Sequence, residues 1–287
     1  MTGFYQFQKQ FPDDEACLRH IMKVRYGGTV LDCPKCGKQG KFYRMTKERG
    51  YVCEHCGHHL HPTVGTPMER THLPLHKWFY AMFLFTTSRH GVSAKELQRQ
   101  LDISYKSAWR MGHVIRQYMA KVDGDGTLDG IVELDEAYIG GRAVGGKKKG
   151  LTGRGTKKAI VFGMLEREGE VITRVVEAAG RRDLFPHVRA HVAPGSHIST
   201  DEWMPYRALP KMGYSHGTVE HRSKEYVRGI DHVNNLEAFW LILKRSIRGT
   251  HVWVSKKHLS KYLGEFEFRY NRRKRPASMF AELVASL

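Results

Sequence analysis

Three acidic residues and one lysine in the second half of the chain have types and spacing suited to metal-dependent chemistry. Asp135 interrupts the apolar run at residues 132–138, where an acidic side chain is unfavourable unless something compensates it. Asp201 comes at the end of a short predicted strand, and 35 residues separate it from Glu237. Lys244 comes two helical turns after Glu237, so both side chains would share one face of a helix.

Carboxylate oxygens are the ligands that Mg²⁺ prefers, and two ions about 4 Å apart can promote displacement at a phosphodiester. We therefore predict that Asp135, Asp201 and Glu237 hold two Mg²⁺ or Mn²⁺ ions, with Lys244 beside them. Taken singly, each acid would also suit a solvated carboxylate, and Asp201 would suit a helix cap. The neighbours Glu133 and Glu136 rank below Asp135 as candidates.

Two C-x2-C pairs, separated by 16 residues, predict a structural zinc site with the ligands Cys33, Cys36, Cys53 and Cys56. A glycine follows the second cysteine of each pair, where a tight turn needs positive φ. The alternatives are redox-active pairs or buried free thiols. Cys17 lies on a predicted amphipathic helix and is expected to be a core thiol. Four histidines crowd the second pair and are interpreted as surface residues near DNA phosphate, with replacement of one cysteine ligand by a histidine as the alternative: His55, His58, His59 and His61.

A helix-turn-helix is predicted between residues 92 and 118. Ser93 and Glu96 form a capping box, Asp102 lies in a turn, and Ser104 caps a second helix. The residues of this second helix expected to face outward are Lys106, Ser107, Arg110 and His113, and we predict that the first three contact DNA. An ordinary helical hairpin is the alternative.

The charge balance favours an anionic polymer as partner. Lys and Arg number 47 against 29 acids, which gives a net charge of +18. Two basic clusters are expected to follow the DNA backbone, and their principal members are Lys147, Lys148, Lys149, Arg272 and Arg273. A general basic bias or a solvated loop would produce the same composition. No signal peptide and no apolar run long enough to span a bilayer is recognised, so we expect a cytoplasmic protein without a membrane partner.

The order of elements that would position these residues suggests an α/β fold for the second half. Strands are expected at residues 131–139, 159–165, 171–176, 197–200 and 218–221, with helices at 182–191, 235–248 and 257–270. We predict three domains: a zinc ribbon with an N-terminal helix over residues 1–70, a helix-turn-helix region over 71–122 and a catalytic domain over 128–287. A ribonuclease-H-like fold has this order of elements, and so do other α/β folds.

Nearly the whole chain resembles the bacterial insertion-sequence transposases that are related to eukaryotic Merlin elements. The motifs that carry this resemblance keep their order along the chain: CPKCG at residues 33–37, KSAWRM at 106–111, VELDEAYIGG at 132–141, STD at 199–201 and NNLEAFWLILKR at 234–245.

The resemblance implies a ribonuclease-H-like transposase of the DDE type that cuts transposon ends and joins them to target DNA, as a homo-oligomer on double-stranded DNA. It implies the triad Asp135, Asp201 and Glu237, with Lys244 near DNA. Because some members have Asn in the third position, Asn234 stays the alternative to Glu237. A catalytically inactive zinc-ribbon regulator is the other function considered, and a metal-dependent ribonuclease is a weaker third.

Overall fold

The computed structural model describes residues 3–140, 158–220, 223 and 225–287. The chain divides into two compact units. The first unit comprises Met1–Tyr118 together with Lys274–Leu287, and the second comprises Met119–Arg273. Within the described residues, no helix is long and apolar enough to cross a membrane.

The first unit begins with two helices, α1 (Phe4–Gln10) and α2 (Asp14–Tyr26). Asp13 caps α2 by accepting a hydrogen bond from the Ala16 backbone N–H at 2.8 Å. The predicted amphipathic face of α2 is confirmed, and Cys17 is fully buried in it. An antiparallel sheet in the order β1-β2-β3-β4 follows. Its strands are β1 (Val30–Asp32), β2 (Gln39–Arg44), β3 (Tyr51–Cys53) and β4 (His59–Leu60).

Helices make up the rest of the first unit: α3 (Leu75–Thr87), α4 (Ala94–Leu101), α5 (Tyr105–Asp123) and, from the C-terminal segment, α9 (Met279–Ala285). Helix α5 continues across the boundary into the second unit. Aromatic rings hold α1, α3 and α9 together, since Phe83 lies 5.0 Å from Phe7 and 5.7 Å from Phe280 between ring centroids.

The second unit is built on a five-stranded sheet in the order β7-β6-β5-β8-β9. Its strands are β5 (Ile131–Ile139), β6 (Ala159–Glu166), β7 (Val171–Val176), β8 (His197–Asp201) and β9 (Ser215–Val219). The first three form an antiparallel meander, as predicted, whereas β8 pairs parallel to β5 and β9 pairs parallel to β8. Strand β9 begins earlier than the predicted strand at residues 218–221, because it pairs with β8 from its first residue.

Helices cover both faces of this sheet. They are α6 (Arg181–His191), α7 (Asn234–Ser246) and α8 (Lys256–Asn271), with a 3-10 helix at Met204–Met212 and a π-helical turn at Ile247–His251. Val132 and Leu134 of β5 pack with α6 and the 3-10 helix, while Ala137 and Ile139 pack with α7 and α8. Since side chains alternate along a strand, Asp135 lies on the α7 face.

The boundaries of the two compact units differ from those of the predicted domains. Residues 274–287, which the sequence assigns to the catalytic domain, belong to the first unit because α9 packs against α3. The three-domain division therefore stays a prediction.

Candidate active site and metal centre

The first two acids lie on neighbouring parallel strands. Leu134 of β5 is paired with Thr200 of β8, so Asp135 and Asp201 are the next residues in the same register. Paired residues of adjacent strands point to the same face of a sheet, about 4.8 Å apart. Asp201 also accepts a hydrogen bond from the Trp203 backbone N–H at 3.0 Å, which ends the strand in a tight turn.

Glu133 holds the N-terminus of α7 against the same face. Its fully buried carboxylate accepts hydrogen bonds from the backbone N–H groups of Asn235 and Leu236, each at 3.0 Å. Arg167 donates to it at 3.0 Å. A carboxylate suits this position because the first N–H groups of a helix have no partner within it and carry partial positive charge.

Trp240 brings α7 onto the sheet beside Asp135. Its indole Nε1–H donates to Asp135 Oδ2 at 3.0 Å. Gly163, the β6 partner of Asp135, makes this approach possible, because a Cβ atom there would lie 2.5 Å from the Trp240 ring. Glu237 precedes Trp240 by one helical turn and is exposed, and Lys244 follows Trp240 by another turn and is half-buried.

Electrostatic interactions show that the acids share one environment. Burial raises the pKa of Asp135 to about 8, and repulsion by Glu136, Asp201 and Glu237 adds to this pKa shift. Burial lowers the pKa of Lys244, while the charges of Asp135 and Glu237 oppose that change. Such a cluster of carboxylates suits a divalent metal ion, whose charge would favour their ionised forms.

Glu136 faces the opposite side of the sheet, where the Tyr206 hydroxyl donates to its carboxylate. Glu133 and Glu136 thus have hydrogen-bond partners within the protein, and their lower rank as metal ligands stays a prediction. Asn234 is exposed as the first residue of α7.

The three acids are more widely spread than the ligands of a single ion. Among the described residues, two groups have ligand atoms that all lie within 4.8 Å of one another: the four cysteines, and Glu48 with His59 and His61. Asp135, Asp201 and Glu237 form no such group. A wider arrangement is compatible with a pair of ions about 4 Å apart, between which the carboxylates are shared.

The four cysteines of the first unit converge as predicted. Cys33 Sγ and Cys56 Sγ lie 3.7 Å apart, close to the roughly 3.8 Å that tetrahedral coordination with Zn–S bonds of about 2.3 Å requires. Gly37 and Gly57 have φ of 67° and 68°. Each donates its N–H to the carbonyl of the first cysteine in its pair, at 2.9 and 3.1 Å. The donor set and the turns fit a structural zinc ion.

The helices of the predicted helix-turn-helix form with the expected caps. Ser93 accepts from the Glu96 N–H at 3.0 Å, and Ser104 accepts from the Ser107 N–H at 3.2 Å. Asp102 adopts a left-handed conformation in the turn, with φ of 47°.

Lys106 and Arg110 are exposed on α5, and Ser107 is half-buried. The expectation for His113 is wrong: it is buried, because its ring packs 4.1 Å from that of Trp109.

The two basic clusters differ in what the structure describes. Lys147, Lys148 and Lys149 lie outside the described residues. Arg272 donates to Asp123 and lies 4.0 Å over the Phe268 ring, and Arg273 donates to the Gly169 carbonyl at 2.8 Å. A phosphate contact by these two arginines, which stays a prediction, would have to use their remaining N–H groups.

Comparison with known sequences assigns both parts of the chain. The ISXO2-like transposase domain matches residues 127–271, and the transposase zinc-ribbon domain matches residues 12–59. The chain belongs to the ISXO2-like transposase family. It is an insertion-sequence transposase with an N-terminal zinc ribbon and a mixed α/β transposase domain, which confirms the resemblance found in its motifs.

Two relatives of the transposase carry names that describe them as uncharacterised. One, a protein in transposable element ISH50 of Halobacterium salinarum, is 27% identical over 91% of this chain and 92% of its own length. A transposase-like protein of Haemophilus influenzae is 30% identical over 36% of this chain and 81% of its own length.

Solved structures with a likeness to the transposase include two Mos1 assemblies. The Mos1 strand transfer complex has a TM-score of 0.28 and 12% identity, covering 72% of this chain and 77% of the Mos1 chain. The pre-cleavage Mos1 transpososome has a TM-score of 0.27 and 12% identity, with 72% and 78% covered.

Three residues that support the transposase site were not recognised in the sequence as doing so. The sequence presents Glu133 only as a rival of Asp135, and Trp240 only as a member of the motif at residues 234–245. Gly163 carried a usable signal, because a glycine inside a strand often marks the close approach of another group. No comparable signal distinguishes Glu133 from its neighbour Glu136.

Proposed function

We propose that this transposase is a DDE-type enzyme that cleaves DNA at the ends of its element and transfers those ends to target DNA. The observation that carries the proposal is the register of β5 and β8, which puts Asp135 and Asp201 side by side on the face that α7 covers. Repulsion from Glu237 reaches the same carboxyl group of Asp135.

Asp135, Asp201 and Glu237 are the proposed ligands of Mg²⁺ or Mn²⁺. When bound, two such ions would stabilise the charge that develops on the attacking and leaving oxygens. The residues of this chain prepare the site. Trp240 orients the Asp135 carboxylate through Oδ2, and Glu133 fixes the start of the helix that carries Glu237. Lys244, one turn beyond Trp240, is proposed to position a DNA phosphate.

The reaction has two displacements at phosphorus. In the first, the oxygen of water bonds to phosphorus and the 3′-oxygen leaves, which produces a 3′-hydroxyl at the element end and a 5′-phosphate. In the second, that 3′-hydroxyl attacks a target phosphodiester, whose own 3′-oxygen leaves as a hydroxyl. The number of phosphodiester bonds is unchanged in the second step, and neither step needs a protein nucleophile.

A ribonuclease-H-like fold is proposed for the catalytic domain at residues 128–287. It is supported by the antiparallel meander of β5, β6 and β7, by the parallel strands β8 and β9 that extend the sheet from β5, and by the helices on both faces. The proposed zinc-ribbon domain is residues 1–70. The proposed helix-turn-helix region, at residues 71–122, is supported by the capped pair α4 and α5 with the exposed Lys106 and Arg110.

Double-stranded DNA is the proposed partner of both units. The net charge of +18 supports it, because phosphate neutralisation releases counterions. Assembly as a homo-oligomer on DNA is proposed as well, since one element has two ends to be cut and joined.

The decisive experiment compares cleavage with binding. Asp135→Asn keeps the side-chain size and the contact to Trp240 but removes a charge, so cleavage of a duplex carrying an element end should fall by about 100-fold or more in Mg²⁺ or Mn²⁺. Binding to the same duplex should be retained. Asp201→Asn and Glu237→Gln should behave alike, as parts of one unit whose effects do not add.

Asn234→Ala is the matched control on the same helix. If it abolishes cleavage while Glu237→Gln leaves cleavage intact, Asn234 is the third ligand. Wild-type cleavage by all three acid variants would contradict the mechanism, and absence of cleavage by the wild type would instead favour a DNA-binding regulator.

A further inference from the structure

A second cluster of ligand side chains lies in the zinc ribbon, apart from the four cysteines. Glu48, His59 and His61 each offer one atom to a group whose members all lie within 4.8 Å of one another. None of these residues belongs to the four-cysteine set. The active site on the second unit does not use them either.

The end of β4 and the loop between β2 and β3 bring the three side chains together. His59 belongs to β4 and is paired with Val52 of β3, and His61 follows two positions later. Residues two apart in an extended segment point to the same side, so the imidazoles are neighbours, with ring centroids 6.3 Å apart. Glu48 reaches them from the loop between β2 and β3.

The loop that carries Glu48 is fixed by Arg44, the last residue of β2. The Arg44 guanidinium donates to the backbone carbonyls of Met45, Glu48 and Gly50, which span the loop. Its Nε donates to Glu15 at 2.9 Å. Ordering of the loop therefore does not depend on the Glu48 side chain, whose carboxylate is available to a ligand.

His61 packs against the backbone of Gly50. A Cβ atom at Gly50 would lie 2.8 Å from His61 Nδ1, so a larger residue there would require the imidazole to shift. The other ring nitrogen, Nε2, points to Glu48 and lies 3.8 Å from its Oε2. That separation is too long for a hydrogen bond, yet near the roughly 3.4 Å between two ligands of a tetrahedral zinc ion with bonds of about 2.0–2.2 Å.

We propose that Glu48, His59 and His61 bind a second Zn²⁺ ion, distinct from the ion of the four cysteines. Two imidazoles and one carboxylate form a donor set that Zn²⁺ accepts with three protein ligands, and water completes the coordination. The ion joins the β2–β3 loop to the end of β4. The proposal replaces the interpretation of His59 and His61 as phosphate contacts and leaves that interpretation open for His55 and His58.

Zinc binding to the full chain without an affinity tag tests the proposal. Protein that holds one equivalent in the four-cysteine site is titrated with Zn²⁺ by calorimetry. A second equivalent should bind to the wild type. His59→Ala and His61→Ala should each weaken that binding by at least about 10-fold. Loss of a residue that only supports a metal ligand already lowers metal affinity by about 10-fold or more, and loss of the ligand itself should lower it at least as much. His55→Ala, outside the cluster, should bind as the wild type does.

Co²⁺ separates the two sites spectroscopically. The first equivalent should show thiolate-to-cobalt charge transfer, and the second should add absorption without it. Glu48→Gln, in an exposed loop, provides a variant in which the four-cysteine site and the ribbon fold are retained. The proposal would be overturned if the wild type bound a single equivalent of zinc. It would also be overturned if the second equivalent bound with unchanged affinity to the His59, His61 and Glu48 variants.

Discussion

At the scale of single residues, one buried carboxylate that is not a proposed metal ligand supports the candidate site of this transposase. Glu133 is fully buried, and the hydrogen bonds it accepts come from the first residues of α7 and from Arg167. Its position in the sequence, two residues before Asp135, means that one strand supplies both a proposed ligand and the support of the opposing helix.

Replacing Glu133 should impair cleavage without touching the metal ligands. Glu133→Ala leaves the Arg167 Nε–H and two backbone N–H groups of α7 without their acceptor, and we expect the free energy of unfolding to fall by about 3–5 kcal/mol. Glu133→Gln keeps one carbonyl acceptor, so it should fold but cleave more slowly. Urea unfolding and a cleavage assay measure the two effects. Glu177→Gln is the control, because Glu177 is 82% exposed and pairs with Lys256 at the surface.

Glu267 makes the stability of the second unit depend on pH. Burial raises the pKa of its carboxyl group to about 7, although hydrogen bonds from Thr173 oppose the rise. The folded state therefore holds this proton more tightly than the unfolded state does, and the associated stability is lost as pH rises from about 5 to 8.

Glu267→Gln should be about as stable as the wild type at pH 5 and more stable at pH 8, by about 2–3 kcal/mol. The amide keeps the acceptor for Thr173 without the charge. Urea denaturation of both proteins at the two pH values measures the difference. Equal stability of the two proteins at pH 8 would contradict the assignment.

At the scale of elements, α5 is the helix through which the first unit is proposed to contact DNA. Each phosphate contact contributes about 0.9 to the slope of log affinity against log salt concentration. Lys106→Ala with Arg110→Ala should therefore lower that slope by about 2 in binding titrations on an end-containing duplex. Arg99→Ala is the control, since Arg99 on α4 is paired with Glu96. An unchanged slope in the double variant would remove α5 from the interface.

The sequence predicted most elements because local patterns determine them. The two C-x2-C pairs, the capping residues Ser93 and Ser104, and the apolar strands each carry a short-range signal. Strand β9 was placed too late along the chain, since its pairing with β8 is a long-range effect. The burial of His113 was missed because the sequence shows which face of a helix is polar, not which aromatic ring will cover that face.

The candidate site could be predicted as a set of residues but not as an arrangement. The spacing of Asp201, Glu237 and Lys244 follows from the sequence, whereas the contact of Trp240 with Asp135 depends on the register of β5 with β6 and on Gly163. Such contacts join positions about 100 residues apart and leave no periodic pattern.

At the scale of the whole molecule, the two compact units have separate cores. We therefore expect loss of zinc to affect the ribbon and to leave the sheet of the second unit folded. Cys53→Ser should release the zinc ion of the four cysteines and unfold the ribbon, because metal binding stabilises so small a sheet. Hydrogen exchange should then increase for the amides of β1–β4 and stay unchanged for those of β5–β7. Loss of protection throughout the chain would show that the two units unfold together.

The return of the chain to the first unit has a consequence for how the protein is made. Helix α9 contributes Phe280 to the aromatic core of α1 and α3, and the whole second unit is synthesised before it. During translation, the sheet of the second unit can form while the first unit still lacks its last helix. A ribosome product that stops before Met279 would expose Phe7 and Phe83, which makes it a substrate for chaperones and proteases. Completion of the first unit thus requires that the chain has been translated through α9.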